Sequence, residues 1–237
     1  DREKCDKISN GISPFFEPKL EKVLKNGLKK KLKISNKYSL INNCDFIFVT
    51  VGTPQNVNGS INLSIIKKAI STIGENLQKS KKKPIIFIKS TIIPGTIKKV
   101  ILPILEKKSN KKEGKDFGLL SNPEFLQESS AIIDTKFPHV VVLGGNQTEF
   151  MKKAKKLFTK LHPNVPIINT NHQTAEMIKY ANNSFLATKI SFINQLANIC
   201  QNIQGANIDD IARTIGLDPR IGELFLNAGP GYGGSCL

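Results

Sequence analysis

The sequence is easiest to bound by what it lacks. It has no tryptophan and only two methionines, and its three histidines, His139, His162 and His172, form no metal-ligand cluster. Its four cysteines, Cys5, Cys44, Cys200 and Cys236, include no Cys-x-x-Cys pair. That excludes the common zinc spacings and a disulfide framework, and points to a reduced, cytosolic, metal-free protein. No uninterrupted apolar run reaches the roughly 18 residues of a membrane span. The start, Asp1-Arg2-Glu3-Lys4, has no signal-peptide pattern. Finally, no Gly-x-Gly-x-x-Gly turn leads from a strand into a helix, so the usual first phosphate loop of a dinucleotide fold is missing.

What is present is a globular composition: 237 residues, 39% hydrophobic and 23% charged, enough for one large domain or two small ones. The net charge of +16 raises the question of nucleic acid, and its distribution answers it. From residue 161 onward, four cations (Lys179, Lys189, Arg213, Arg220) face five acids (Glu176, Asp209, Asp210, Asp218, Glu223), a net of −1 that leaves +17 for the first 160 residues. That excess lies in runs such as Lys29-Lys30-Lys31, Lys81-Lys82-Lys83, Lys107-Lys108 and Lys152-Lys153. The runs lack the interleaved aromatics and arginines of nucleic-acid surfaces, so solvated helix faces are the favoured reading and no nucleic-acid partner is expected.

Along the chain, Leu20, Val23, Leu24, Leu28 and Leu32 recur at helical spacing. Asp45 to Val51 then forms a nearly continuous apolar run of β-formers ending at Gly52-Thr53-Pro54, the pattern of a strand buried on both faces. A helical pattern over 63–77 follows, then a strand over 85–88 closed by Lys89-Ser90-Thr91, then a helix over 96–107. Strands over 117–121, 140–143 and 165–168, with a helix over 149–161, continue the alternation. This predicts an α/β fold, a doubly wound Rossmann-like parallel sheet, with ligands at the carboxyl ends of its strands. Those ends are Thr53-Pro54, Ser90-Thr91 and Asn122-Pro123-Glu124.

From Thr174 to Ile203 a single helical period runs to Gly205, about 45 Å of helix and long enough to connect two domains. Lys179 and Asn183 fall four apart on it, hence on nearly one face. Two shorter helical segments are predicted over 208–215 and 221–226. The chain then reaches Gly229-Pro230-Gly231-Tyr232-Gly233-Gly234-Ser235-Cys236. Glycines so closely spaced fit a backbone that takes positive φ or lies against a ligand, and a cysteine ending such a loop faces whatever the loop cradles. The competing reading is a small buried hydrophobe beside a turn, the commonest use of a free cysteine. The expected division is 1–172 and 173–237.

Taken in order, these residues resemble the UDP-glucose/GDP-mannose dehydrogenase family of nucleotide-sugar 6-dehydrogenases. The pieces that carry the resemblance are Gly11-Ile12-Ser13-Pro14 with Glu17-Pro18, Val51-Gly52-Thr53-Pro54, Lys89-Ser90-Thr91, Ser121 to Glu128, Glu176 to Asn183, Asp218-x-Arg220-Ile221-Gly222, and Phe225 to Gly229 running into Gly233-Gly234-Ser235-Cys236. The resemblance is strongest to members acting on UDP-glucose. It implies an enzyme that oxidises the sugar C6 alcohol to a carboxylate in two hydride transfers to NAD, through a cysteine-bound thiohemiacetal and thioester. It assigns Cys236 as nucleophile, Lys179 as the oxyanion-stabilising ammonium, Asn183 as a sugar contact, and Glu124 and Thr91 as groups that position or activate water. It assigns Lys4, Thr53, Thr91 and Glu128 to the cofactor. To the substrate it assigns Glu124, Phe125, Leu126, Gln127, Glu128, Lys179, Asn183, Arg220, Phe225, Leu226, Asn227, Ala228, Gly229 and Gly233. It also implies a homodimer through the central helical region, with Arg220 reaching a neighbouring subunit.

The match also implies what is missing. Relative to the family pattern, the first strand with its glycine turn and ribose-binding acid, and everything after Leu237, fall outside this sequence. The expectation is a middle piece of a longer enzyme, binding NAD weakly and inactive as given. GDP-mannose and UDP-N-acetyl-hexosamine dehydrogenation, or a non-catalytic basic binding remnant, remain as alternatives.

Overall fold

Short apolar runs of isoleucine, phenylalanine, valine and leucine set the sheet. β1 (Phe46–Val49), β2 (Ile85–Ile88), β3 (Gly118–Ser121), β4 (Val141–Gly144) and β5 (Ile167–Thr170) lie side by side in chain order. The computed structural model, which describes residues 1–233, pairs β1 with β2, β2 with β3, and β4 with β5 in parallel. β3 meets β4 antiparallel, Ser121 opposite Gly144, and this corrects the all-parallel expectation. The reason lies in the connection. Its one helix, α5 (Ala131–Lys136), has six residues, about 9 Å, too short to carry the chain back along a strand of about 13 Å. The segment after β3 therefore stays at one edge of the sheet, and β4 starts there.

That reversal decides how the sheet is covered. Crossovers between parallel strands are right-handed, so α3 (Ser64–Leu77) and the helix after β2 fall on one face, while α6 (Glu149–Leu161), which joins two reversed strands, falls on the other. Alternation along β2 records it: Ile86 and Ile88 pack with Ile66, Ile70 and Leu105, whereas Ile85 and Phe87 pack with Met151, Ala154 and Phe158. Phe87 stacks on Phe48 at 4.7 Å between centroids and takes the edge of Phe158 at 5.6 Å.

The helix predicted over 96–107 is a π turn (Ile97–Ile101) that runs into α4 (Leu102–Ser109). Pro103 has no N–H to give the carbonyl of Lys99, so the α-ladder opens where the π turn ends. α1 (Arg2–Ser9) and α2 (Leu20–Lys30) precede the sheet. α7 (His172–Cys200) starts two residues before the predicted helix and ends three before it. Its N-terminal turn comes close to β4 because Gly144 and Gly145 carry no Cβ. A Cβ at Gly144 would sit 2.3 Å from the Ala175 Cβ of α7; one at Gly145 would sit 3.5 Å from Nε2 of His172 and 2.2 Å from Leu120 on the neighbouring β3. α8 (Ile208–Gly216) is capped by Asn207, whose side chain accepts from the N–H groups of Asp209 and Asp210. The helix expected over 221–226 is replaced by turns, because Gly222 and Phe225 take φ of 72° and 67°.

Two compact units result, Asp1–Lys179 and a second beginning at Tyr180. The boundary between these compact units falls inside α7, since His172, Ala175, Glu176 and Lys179 are buried in the first unit. The second unit has a small core of its own, Ile193, Ala212 and Leu226. All the lysine runs singled out in the sequence are exposed, and Lys82, Lys108 and Lys152 pair with Asp45, Glu75 and Glu149.

Candidate functional site

The carboxyl ends of β1, β2 and β3 share one edge of the sheet, and the loops that leave them are tied together. Thr53 donates through Oγ1 to the carbonyl of Thr91 at 2.7 Å, and Ser90 through Oγ to that of Val51 at 2.6 Å. The loop after β1 is thus fastened to the loop after β2 by two hydroxyls. A Cβ added at Gly52 would meet nothing within 4 Å, so the backbone there faces open space.

Beyond β3 the acidic and basic groups meet. Lys179, buried on α7 with 7% of its surface exposed, places Nζ 3.4 Å from Oε1 of Glu124 and 5.3 Å from the centroid of Phe125. Phe125 in turn sets its ring against His139 at 5.2 Å. Glu124 accepts the N–H of Leu126 on Oε2 at 2.6 Å, which fixes the carboxylate that faces the ammonium. Lys89, at the end of β2, donates to Oδ1 of Asn122 at 3.3 Å, and Asn122 gives its own Nδ2 hydrogen to the carbonyl of Val142. Burial pushes the Lys89 ammonium below the usual lysine range; the Glu124 carboxylate opposes that shift and Lys179 adds to it. Sequence reasoning gave Lys89 no role, although a lysine directly after an all-apolar strand is a signal that it had available.

One turn before Lys179 on α7, Glu176 is 2% exposed. Its carboxylate accepts the N–H of Gly95 at 2.5 Å and of Ile97 at 2.9 Å, both at the start of the π turn. Burial pushes this carboxyl up, against the two N–H groups and His172. Further back, His172 is buried with Nε2 2.9 Å from the carbonyl of Leu119.

The structure therefore brings Thr53 to Thr91, and Glu124, Phe125 and Leu126 to Lys179. Gln127 gives its N–H to Asp134 at 2.9 Å, and Glu128 is exposed in a loop whose Ser129 N–H is held by Glu17. Lys4 stands exposed in the first turn of α1. The remaining predicted residues belong to the second unit. There Asn183 accepts from Asn182, and exposed Arg220 is held by Asp218 at 2.6 Å. Lys189 donates to the carbonyls of Ile221 and Gly222, each at 3.0 Å, and Asn194 accepts the N–H of Gly229 at 2.8 Å. Asn227, Gly229 and Gly233 are exposed and Phe225 and Ala228 half-buried, while Leu226, 2% exposed, is a core residue. Gly234 and Cys236 lie outside the described residues, so the nucleophile assignment has no geometry here. Among the described residues no group of histidine, cysteine or acidic side chains could hold a metal ion, and no helix is long and apolar enough to cross a membrane.

A buried lysine facing a half-buried carboxylate at the carboxyl edge of an α/β sheet can be compared directly with proteins of known kind. The chain is 42% identical over 238 residues to the UDP-glucose 6-dehydrogenase of Rickettsia conorii, and 44% identical over 240 residues to that of Bacillus subtilis. Both alignments cover all of this chain and about half of the relative, 52% and 50%. Among solved structures, a UDP-glucose dehydrogenase from Pyrobaculum islandicum superposes with a TM-score of 0.91 at 29% identity, over all of this chain and 54% of that one. A GDP-mannose dehydrogenase from Pseudomonas aeruginosa superposes with a TM-score of 0.89 at 33% identity, over all of this chain and 55% of that one. Residues 1–162 match the family model for the NAD binding domain of UDP-glucose/GDP-mannose dehydrogenases, and residues 173–237 match that for the central domain. With both domains matched in the order in which the sheet and α7 present them, the chain belongs to the UDP-glucose/GDP-mannose dehydrogenase family.

Proposed function

We propose that the complete protein oxidises C6 of UDP-glucose to the carboxylate of UDP-glucuronate, and that the chain described here supplies most of the reacting side chains. The observation that carries this reading is the Lys179–Glu124 pair, an ammonium and a carboxylate held 3.4 Å apart where the strands end. The chain spans about half the length of the curated relatives it matches, so the reading concerns the whole protein.

The residues present fit NAD on two counts. The Gly52–Thr53 backbone is open, and the Thr53 and Thr91 segments are fastened side by side, so that a ligand laid across the edge meets both. Thr53, Thr91 and Glu128 would hold it, with Lys4 toward the ribose. NAD would supply a hydride acceptor, one molecule for each of the two hydrides that leave C6 in succession. The chain's own residues do the rest. The Lys179 ammonium stabilises negative charge on the C6 oxygen, and its neighbour Glu124 orients water for the final hydrolysis. Asn183 holds the sugar, and Phe225, Asn227, Ala228 and Gly229 with Gly233 form the wall toward the nucleotide, with Leu226 anchoring that segment in the core. Cys236 adds to the C6 aldehyde. The thiohemiacetal so formed can release hydride where the free aldehyde cannot, and the resulting thioester is then cleaved by water. The central unit is read as the homodimer contact, supported by the exposed Phe185, Phe192 and Ile199 spaced seven apart on α7, with exposed Arg220 reaching the neighbouring subunit. Free, half-buried Cys5, Cys44 and Cys200 fit a reducing cytoplasm.

The test uses the full-length protein with UDP-glucose, GDP-mannose and UDP-N-acetyl-hexosamines in parallel, then its Cys236→Ala variant with the C6 aldehyde and NAD. Turnover of UDP-glucose by the parent, and no conversion of aldehyde to acid by the variant, is the expected pair of results. Near-parent oxidation of the aldehyde by Cys236→Ala removes the covalent route; preference for another nucleotide sugar removes the substrate assignment.

A further inference from the structure

We propose that Glu176 is a positioning residue that locks the Thr91 loop to the helix carrying Lys179, so that two reacting groups separated by 88 positions in sequence are set by one carboxylate. The inference rests on the functional reading above and adds a residue to it.

The π turn after β2 begins without a cap of its own. Thr96, the residue in the capping position, makes no capping hydrogen bond; it directs its hydroxyl back to the carbonyl of Ile93 at 2.6 Å. The first N–H groups of a helix have no partner within it, and here they are buried: Gly95, Thr96 and Ile97 all lie in the interior. Glu176 supplies the partner from 79 to 81 residues further along the chain, bonding Ile97 and Gly95 with its two oxygens. Gly95 has φ of 93°, a left-handed conformation that side-chain-bearing residues avoid, and this is the turn in which its N–H joins that of Ile97 on the same carboxylate. A negative group at a helix start is favoured by the partial positive charge there, so the contact is directional as well as close.

The consequence follows from helix geometry. Glu176 and Lys179 are three residues apart on α7 and project from one face. Glu176 grips the back of the loop that begins at Ser90 and Thr91, and the hydroxyls of Ser90 and Thr53 fasten its front. Lys179 meanwhile meets Glu124. The loop is held at both ends, and one of those ends is the element that bears the ammonium. A shift of about 1 Å between reacting groups is enough to cost on the order of a hundredfold in rate.

The experiment compares full-length parent, Glu176→Gln and Ile101→Val. The glutamine keeps the shape but brings an amide N–H₂ against one of the two N–H donors. Ile101→Val loosens the same turn by a buried methyl group and leaves the carboxylate bonds intact. Amide exchange is read on peptides covering 91–101 and on those covering β1, β2 and β3, and steady-state kinetics give kcat and KM for both substrates. Glu176→Gln is expected to lose protection in 91–101 alone and to lower kcat by about a hundredfold. KM is expected to stay within about threefold, and Ile101→Val to keep kcat within about twofold. A Glu176→Gln enzyme with near-parent kcat overturns the proposal, and so does an Ile101→Val enzyme that falls as far. If the parent oxidises no nucleotide sugar, the functional reading fails, and the exchange measurement still decides whether Glu176 holds the loop.

Discussion

The two units hold their site-bearing loops by different means, although α7 contributes to both. In the first unit each tie has one partner in the interior: Glu176 under the π turn, Lys179 against half-buried Glu124, and Asn122 against half-buried Lys89. In the second they lie nearer solvent: Lys189 on the carbonyls of Ile221 and Gly222, Asn194 on the N–H of Gly229. The first unit can hide charge because a covered sheet supplies two clusters of apolar side chains, whereas among the described residues the second has three buried residues in its core. A tie made in the interior is costly to break because its partners cannot turn to water; a tie at the surface is exchanged for solvent. The loops of the first unit are therefore held more firmly than those of the second.

Core truncation should show the contrast at its largest. Ile70→Ala and Leu226→Ala each remove a fully packed side chain, at a cost of about 2–5 kcal/mol. Exchange mass spectrometry of the full-length protein should show Ile70→Ala exposing the sheet, and Leu226→Ala exposing 208–233 while β1 to β3 keep parent protection. Equal loosening of both regions by Leu226→Ala would mean that the units are not separately stable.

Next in size is Gly144→Ala. The new methyl would overlap the Ala175 Cβ and the Asn171 carbonyl, neither of which can swing aside, and the strain is about 1–3 kcal/mol. A urea midpoint unchanged from the parent would show that the first turn of α7 gives way freely. A smaller change, about 0.5–1.5 kcal/mol, is expected from Lys189→Met, which deletes two hydrogen bonds to carbonyls that water can reach. Faster exchange confined to 221–225 is its signature; a large drop in unfolding temperature would place that tie with the buried ones.

pH separates a buried cation from an exposed carboxylate. The folded state lowers the Lys89 pKa from 10.5, chiefly through burial, so over that window the unfolded chain binds more protons. The Lys89 contribution to stability should then rise with pH between the folded value and 10.5, so that the gap between parent and Lys89→Met closes over that window. A gap that is constant with pH would show that Lys89 titrates normally. The smallest effect is expected at Asp45, whose carboxyl is lowered from 3.8 by its hydrogen bond to Lys82. Its contribution is present above 3.8, disappears as pH falls through the lowered value, and is screened by salt. Parent and Asp45→Asn should have one unfolding midpoint in strong acid, and an undiminished difference there would contradict the pairing.

Much of this was legible in the chain. The apolar runs at 45–51, of which 46–49 is strand, and at 85–88, the period of α6 and the long period of α7 follow from spacing alone, because an element that must bury one stripe or both faces writes that demand into local sequence. The edge carrying Thr53, Thr91 and Glu124 followed from the rule that ligands gather where parallel strands end. The 221–226 segment was misread because apolar spacing is blind to a positive φ at Phe225. The sequence by itself determined which residues are strands, which helix is long, and which family pattern is present. Only the tertiary structure decided that β4 runs against β3, that α7 belongs in part to each unit, and that Glu176 closes the start of a helix 79 residues away. Periodicity reports whether a residue is buried, but the partner of a buried charge is chosen by the path of the chain through space, and no local spacing encodes it.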